Sequence, residues 1–109
     1  MLLEELLQRS QSIREAYHQL EKHHHGSEWS IEEDLLAMTN DVGNVARLVM
    51  TKGGRYYDET PYQLEPKLAE LIWWVVELSQ RLDIDIQEAL EQFLSDKEQL
   101  LKINDDKGE

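Results

Sequence analysis

The chain has 109 residues and a formal net charge of −12, from 23 acidic against 11 basic side chains, with 40% hydrophobic residues and no cysteine. That length suits one helical domain, and the missing thiols exclude disulfides, thiol nucleophiles and cysteine-ligated zinc while fitting a cytoplasmic setting. Excess negative charge argues against a nucleic-acid polymer as partner, because phosphate backbones bind clustered Lys and Arg, and no apolar run approaches the roughly 18 to 20 residues of a membrane span.

Apolar positions counted against a period of about 3.5 to 3.6 residues give four helices. The first is expected over residues 1–22, where Leu3, Leu6, Ile13, Tyr17 and Leu20 follow helical steps around a polar Ser10. Its opening decamer, MLLEELLQRS, mixes acids with leucines and has no basic leading segment, so no secretory signal is expected. The run closes at KHHHGS. Successive residues on a helix point in different directions, so His23, His24 and His25 predict a solvated helix end and not a zinc site.

The second helix is expected over 29–51. SIEE, from Ser30 to Glu33, reads as a capping box, and Ile31, Leu35, Met38, Val42, Val45 and Val49 form an unbroken stripe. Residues 52–63 form the one long loop, since Gly53, Gly54 and Pro61 do not continue a helix cheaply. Lys52 and Arg55 in that stretch are candidate phosphate contacts, and Tyr56 or Tyr57 a candidate base contact. The third helix is expected over 64–83, with Leu64, Leu68, Leu71, Val75, Leu78 and Leu82 at the same spacing. DIQE, from Asp85 to Glu88, opens a fourth over 85–103, carrying Ile86, Ala89, Leu90, Phe93, Leu94, Leu100 and Leu101, and the polar tail 104–109 is expected to fray.

These elements predict an all-α, antiparallel four-helix bundle forming a single domain, residues 1–109. Ala69, Ile72, Trp73 and Val76 lie outside the main stripe of the third helix, and that extra apolar breadth predicts completion of the bundle by a second copy, a homodimer.

Beside the apolar stripe of the second helix runs a second one, Asp34, Ala37, Asp41 and Leu48, with Asn44 slightly further round. The third helix carries Lys67, Glu70, Trp74, Glu77 and Arg81 in the corresponding place. A carboxylate beside Ala37 and Leu48 is costly to bury unless it is paired or binds a cation. If the two helices pack as an antiparallel pair, Asp41 and Asn44 face Lys67 and Glu70. Two readings follow. Asp41, Asn44 and Glu70 supply hard oxygens suited to Mg²⁺, with Mn²⁺ as a substitute; alternatively Asp41 and Glu70 are ordinary bundle acids paired with Lys67, Arg47 or Arg81. Trp73 is expected in core or dimer packing, whereas Trp74, one turn after Glu70, is a candidate stacking platform for a base. Gly43 in mid-helix implies a close helix approach or a requirement of the metal site.

Over residues 29–95 the sequence resembles the MazG-like, all-α nucleoside triphosphate pyrophosphohydrolases. The resemblance rests on Trp29, on NDVGNVARLV and on KLAELIWWVVELSQRLDIDIQEAL. In that family an E-x-x-E on one helix and an E-x-x-D on the next hold Mg²⁺ on the triphosphate, and water attacks to give the monophosphate and pyrophosphate. Placed on this chain, the first motif is Asp41-Val42-Gly43-Asn44 and the second Lys67-Leu68-Ala69-Glu70, so Asn44 and Lys67 depart from the family's acids. The resemblance implies a Mg²⁺-dependent pyrophosphohydrolase of a (deoxy)nucleoside triphosphate, with Asp41 and Glu70 catalytic, Asp41, Asn44 and Glu70 on the metal, and Lys67, Lys52, Arg55 and Trp74 on substrate. The two departures support another reading, a non-catalytic MazG-like module for nucleotide binding, protein contact or dimerisation.

Overall fold

A computed structural model of the chain describes residues 2–55 and 63–103. Among them the structure is all-α, with four helices and no strand: α1 (Leu3–His25), α2 (Ile31–Lys52), α3 (Leu64–Arg81) and α4 (Ile86–Leu100). None of these helices is long and apolar enough to cross a membrane.

Local chemistry sets the ends. α1 has Glu4 and Glu5 in its first turn and Lys22 to His25 in its last, complementing the helix dipole. It runs through His23, His24 and His25, beyond the expected limit at residue 22, because the chain only turns at Gly26, whose φ of 83° is left-handed and whose N–H reaches Lys22 O at 2.9 Å. α2 opens with the capping box: Ser30 Oγ accepts from the Glu33 N–H at 3.1 Å and Glu33 Oε1 from the Ser30 N–H at 2.9 Å. In α3, Pro66 falls in the first turn, where its missing N–H would have had no helical partner. Asp85 caps α4, accepting from the Glu88 N–H at 3.0 Å. The expected loop contact residues Tyr56 and Tyr57 and the tail 104–109 lie outside the described residues.

α3 is the central element. On α2, Asp34 meets Arg81 and Asp41 meets Trp74 and Lys67, so rising residue numbers on one helix meet falling numbers on the other. α1 lies along α3 in the same sense, with Gln80 donating to Leu7 O, Arg14 to Glu77, and Tyr17 beside Trp73. α4 adjoins α3 but contributes no buried residue.

The interior differs from the expected core. Trp74 and Val76 are the buried hydrophobic residues, whereas Ser10, Arg14, Glu21, Asp34, Asp41, Glu77 and Ser79 are buried polar ones. The expected apolar stripes are only partly covered: Leu35, Val42 and Val49 on α2, Leu68 and Val75 on α3 and Leu82 just after it are 41–53% exposed, while Ile31, Met38, Val45, Leu64, Leu71 and Leu78 are half-buried. Periodicity shows that a helix has an apolar face; it does not say which surface covers that face. The accessible surface is 8612 Å², against roughly 6,300 Å² for a compact monomer of this mass. The radius of gyration is 17.7 Å, against about 13 Å for a compact domain of this length.

Candidate functional site

The seam between α2 and α3 brings Asp41, Asn44, Lys67, Glu70 and Trp74 together. Asp41 is 8% exposed, and both its carboxylate oxygens are engaged. Oδ1 accepts from Lys67 Nζ at 3.1 Å and Oδ2 from the Trp74 indole N–H at 2.8 Å. Lys67 also donates to Glu70 Oε1 at 2.9 Å, one turn along its own helix. The hydrogen bonds and charges of Glu70 and Asp41 hold the Lys67 ammonium above the usual lysine range, against its burial. Asn44 sits at the edge, its amide N–H₂ at 3.5 Å from Asp41 Oδ1.

The ammonium therefore stands between the two carboxylates that the metal reading needs. A divalent ion shared by Asp41 and Glu70 would lie against a positive charge, with one of its acids already hydrogen-bonded at both oxygens. As it stands, this donor set does not fit Mg²⁺ or Mn²⁺. Among the described residues, no group of three or more His, Asp or Glu side chains is placed to hold a metal.

The remaining expected contacts are scattered. Trp74 is buried at 6% exposure with its N–H committed to Asp41, which leaves little of the ring to stack on a base. Lys52 ends α2 and Arg55 follows it, both exposed, and no described contact joins either to the Lys67 cluster. A cavity of about 310 Å³ opens beside Glu70, lined by Tyr17, His24, Trp29, Trp73 and Trp74. The Trp73 ring centre lies 4.8 Å from that of Trp74 and 6.0 Å from that of Tyr17, so these rings form one aromatic wall.

One heptad along the same seam lies a second charged cluster, whose α1 members the sequence reading did not identify. Arg14 donates to Glu77 Oε1 at 2.9 Å, to Asp34 Oδ1 at 2.8 Å and to both oxygens of Glu21 at 2.9 and 3.3 Å. Arg81 donates to Asp34 Oδ2 at 2.7 Å and to Trp29 O at 2.8 Å. Burial first, and then the hydrogen bond and charge of Asp34, push the Glu77 carboxyl up to about 7 despite both guanidiniums. The overlooked signal was Ser10, Arg14 and Glu21, polar residues at steps of four and seven inside a leucine-rich helix.

Compared with protein-family models, with curated proteins and with solved structures, the chain matches none. Its functional reading rests on these residues and their arrangement.

Proposed function

We propose that the chain is a MazG-like helical protein in which Lys67 stands in for the metal, and that it serves as a homodimeric, nucleotide-binding module instead of a turnover enzyme. The observation that carries this reading is the Lys67 ammonium at 3.1 Å from Asp41 and 2.9 Å from Glu70. Pyrophosphohydrolysis needs accumulated negative charge to hold Mg²⁺ on a triphosphate and to activate water. Here one of the two negative charges that would gather the metal is already offset from within the chain, and Asn44 adds no carboxylate. The aromatic cavity beside Glu70 supports a flat base as guest, with Trp73 as the wall that stacks and Trp74 as the buttress behind it.

The homodimer is supported by accessible surface. An excess of roughly 2,300 Å² per chain over a compact monomer lies within reach of the interfaces that permanent dimers bury, about 2,000 to 5,000 Å² in total. The outward stripes of α2 and α3 are suited to meet a second copy of themselves, which would complete an antiparallel four-helix bundle from two α2–α3 pairs.

The hydrolase reading keeps one observation in its favour, the convergence of Asp41 and Glu70 on a single point from two helices. Pyrophosphate release from a panel of ribo- and deoxynucleoside triphosphates, with Mg²⁺ or Mn²⁺, separates the two. The expected result is background release together with a rise in thermal midpoint on adding nucleotide, the latter independent of divalent ion. Turnover that Asp41→Ala and Glu70→Ala each abolish would overturn the module reading and establish a hydrolase with a reduced acid set.

A further inference from the structure

We propose that the buried carboxylates Asp34 and Glu77 share one proton, and that this proton latches α1 onto the α2–α3 pair. Glu21, Asp34 and Glu77 surround Arg14 and Arg81, at 8, 0 and 1% exposure for the acids, so three buried carboxylates meet two guanidiniums. An uncompensated buried charge is expensive, and a carboxyl group in that position takes up a proton instead. The oxygen bookkeeping identifies the site. Both Asp34 oxygens and both Glu21 oxygens accept from arginine, whereas Glu77 Oε2 is buried without a hydrogen-bond partner. A proton on Glu77 turns that orphan into a donor, the neighbouring Asp34 carboxylate being the group that favours it, and the cluster becomes two positive and two negative charges.

The link to α1 follows from what α1 buries. Its buried residues are Ser10, Arg14 and Glu21, all polar, while Ile13, Tyr17 and Leu20 remain about half exposed. Beside the Gln80 to Leu7 O hydrogen bond and the Tyr17–Trp73 ring contact, its attachment to the other helices therefore rests on Arg14, whose guanidinium reaches Asp34 on α2 and Glu77 on α3, and on Glu21, which accepts from the Trp29 N–H at 2.7 Å. The groups facing Glu77 from α1 are Arg14, with His18 and Glu15 around the adjoining cavity; from α2, Asp34; and from its own helix, Arg81, which also approaches Glu28 at 3.6 Å.

The sign comes from linkage. Glu77 is raised from an ordinary 4.5 to about 7, with burial as the largest cause. Releasing α1 exposes Glu77 to water and lowers its proton affinity, so the docked state binds the proton more tightly. Docking is therefore strongest below the unfolded value near 4.5, weakens as pH rises towards 7, and changes no further above it. Raising the pH from about 4.5 to about 7 loosens α1 while α2 and α3 stay paired through Asp41, Lys67 and Trp74.

Carbon-13 NMR titration of the Glu77 side-chain carboxyl in the unmodified protein tests the proton directly. A midpoint above 6 is expected, and a midpoint below 5 would overturn the proposal. Hydrogen exchange tests the latch. Between pH 6 and 8, after correction for intrinsic exchange, protection of α1 amides relative to α3 should fall by about tenfold or more, the ratio carried by one pKa unit. Glu77→Gln, which supplies a permanent N–H₂ donor, should remove that fall, whereas His18→Gln should retain it. An unchanged α1 to α3 ratio across this range, or a fall that persists in Glu77→Gln, would also overturn the latch. The midpoint should not move when Na⁺ is exchanged for K⁺ or Mg²⁺ is added; a displacement would replace the proton with a bound cation and sink the idea.

Discussion

At the scale of single residues, Lys67 decides most of what the α2–α3 seam does. Its side chain is 13% exposed and pairs with the Asp41 side chain, at 11%, so removing it leaves a shielded carboxylate with only Trp74 and the long Asn44 contact. Lys67→Met should cost about 1–3 kcal/mol in urea unfolding, the usual penalty for stranding a partly buried charge. Asp41→Asn should cost less, since the amide oxygen still accepts one hydrogen bond. The informative variant is the opposite one. Lys67→Glu combined with Asn44→Glu removes the positive charge and returns two carboxylates to a seam that already holds Asp41 and Glu70. This double variant should acquire a Mn²⁺ site visible as loss of the free-ion electron paramagnetic resonance signal, while the parent chain leaves that signal unchanged. Equal Mn²⁺ uptake by both proteins would show that Lys67 does not exclude the ion. The candidate site was partly legible here. Residue type and helical spacing placed Asp41, Asn44, Lys67 and Glu70 on adjoining stripes, and the structure brings all four together. Which of pairing and metal binding prevails depends on the direction of one flexible lysine side chain, and spacing does not encode that.

At the scale of elements, helix number and capping chemistry were legible because both are local. The Ser30 and Asp85 caps are single hydrogen bonds between near neighbours. Ser30→Ala should lower stability by about 1 kcal/mol, checked by the thermal midpoint. Which face of each helix would be buried was not legible, since α2 and α3 each carry an apolar stripe and a charged stripe side by side and the chain alone buries the charged one. Gly43 shows the same limit. Of the two accounts the sequence offers, a close helix approach and a requirement of the metal site, the first does not hold within the chain, since a Cβ at Gly43 would meet nothing within 4 Å. Gly43→Ala should therefore stabilise α2 by about 0.5–1 kcal/mol through helix propensity, measured by urea unfolding. A loss of stability would place the backbone of a second copy against that position.

At the scale of the whole molecule, an outward apolar stripe and an inward charged one are two sides of one arrangement. α3 cannot bury Glu77, Lys67 and Trp74 against α1 and α2 while also burying Leu68, Val75 and Leu82, because these residues lie on different sides of the helix. With the charged side satisfied inside the chain, the apolar side is left partly exposed, and in the proposed homodimer a second copy presents a surface of matching chemistry by symmetry. Light scattering at micromolar concentration should give twice the 12.9 kDa chain mass. Because association and folding are then linked, the urea midpoint should rise with protein concentration. Val42→Glu with Val49→Glu places charge at two exposed points, 48 and 53% accessible, on the α2 stripe without replacing a member of the Lys67 or Arg14 clusters. That variant should remain helical by circular dichroism, scatter as a single chain and lose the concentration dependence. If it unfolded outright, the α2–α3 pair would be shown to have no stable existence outside the dimer. A parent chain that scatters as a monomer, with a midpoint indifferent to concentration, would overturn the homodimer.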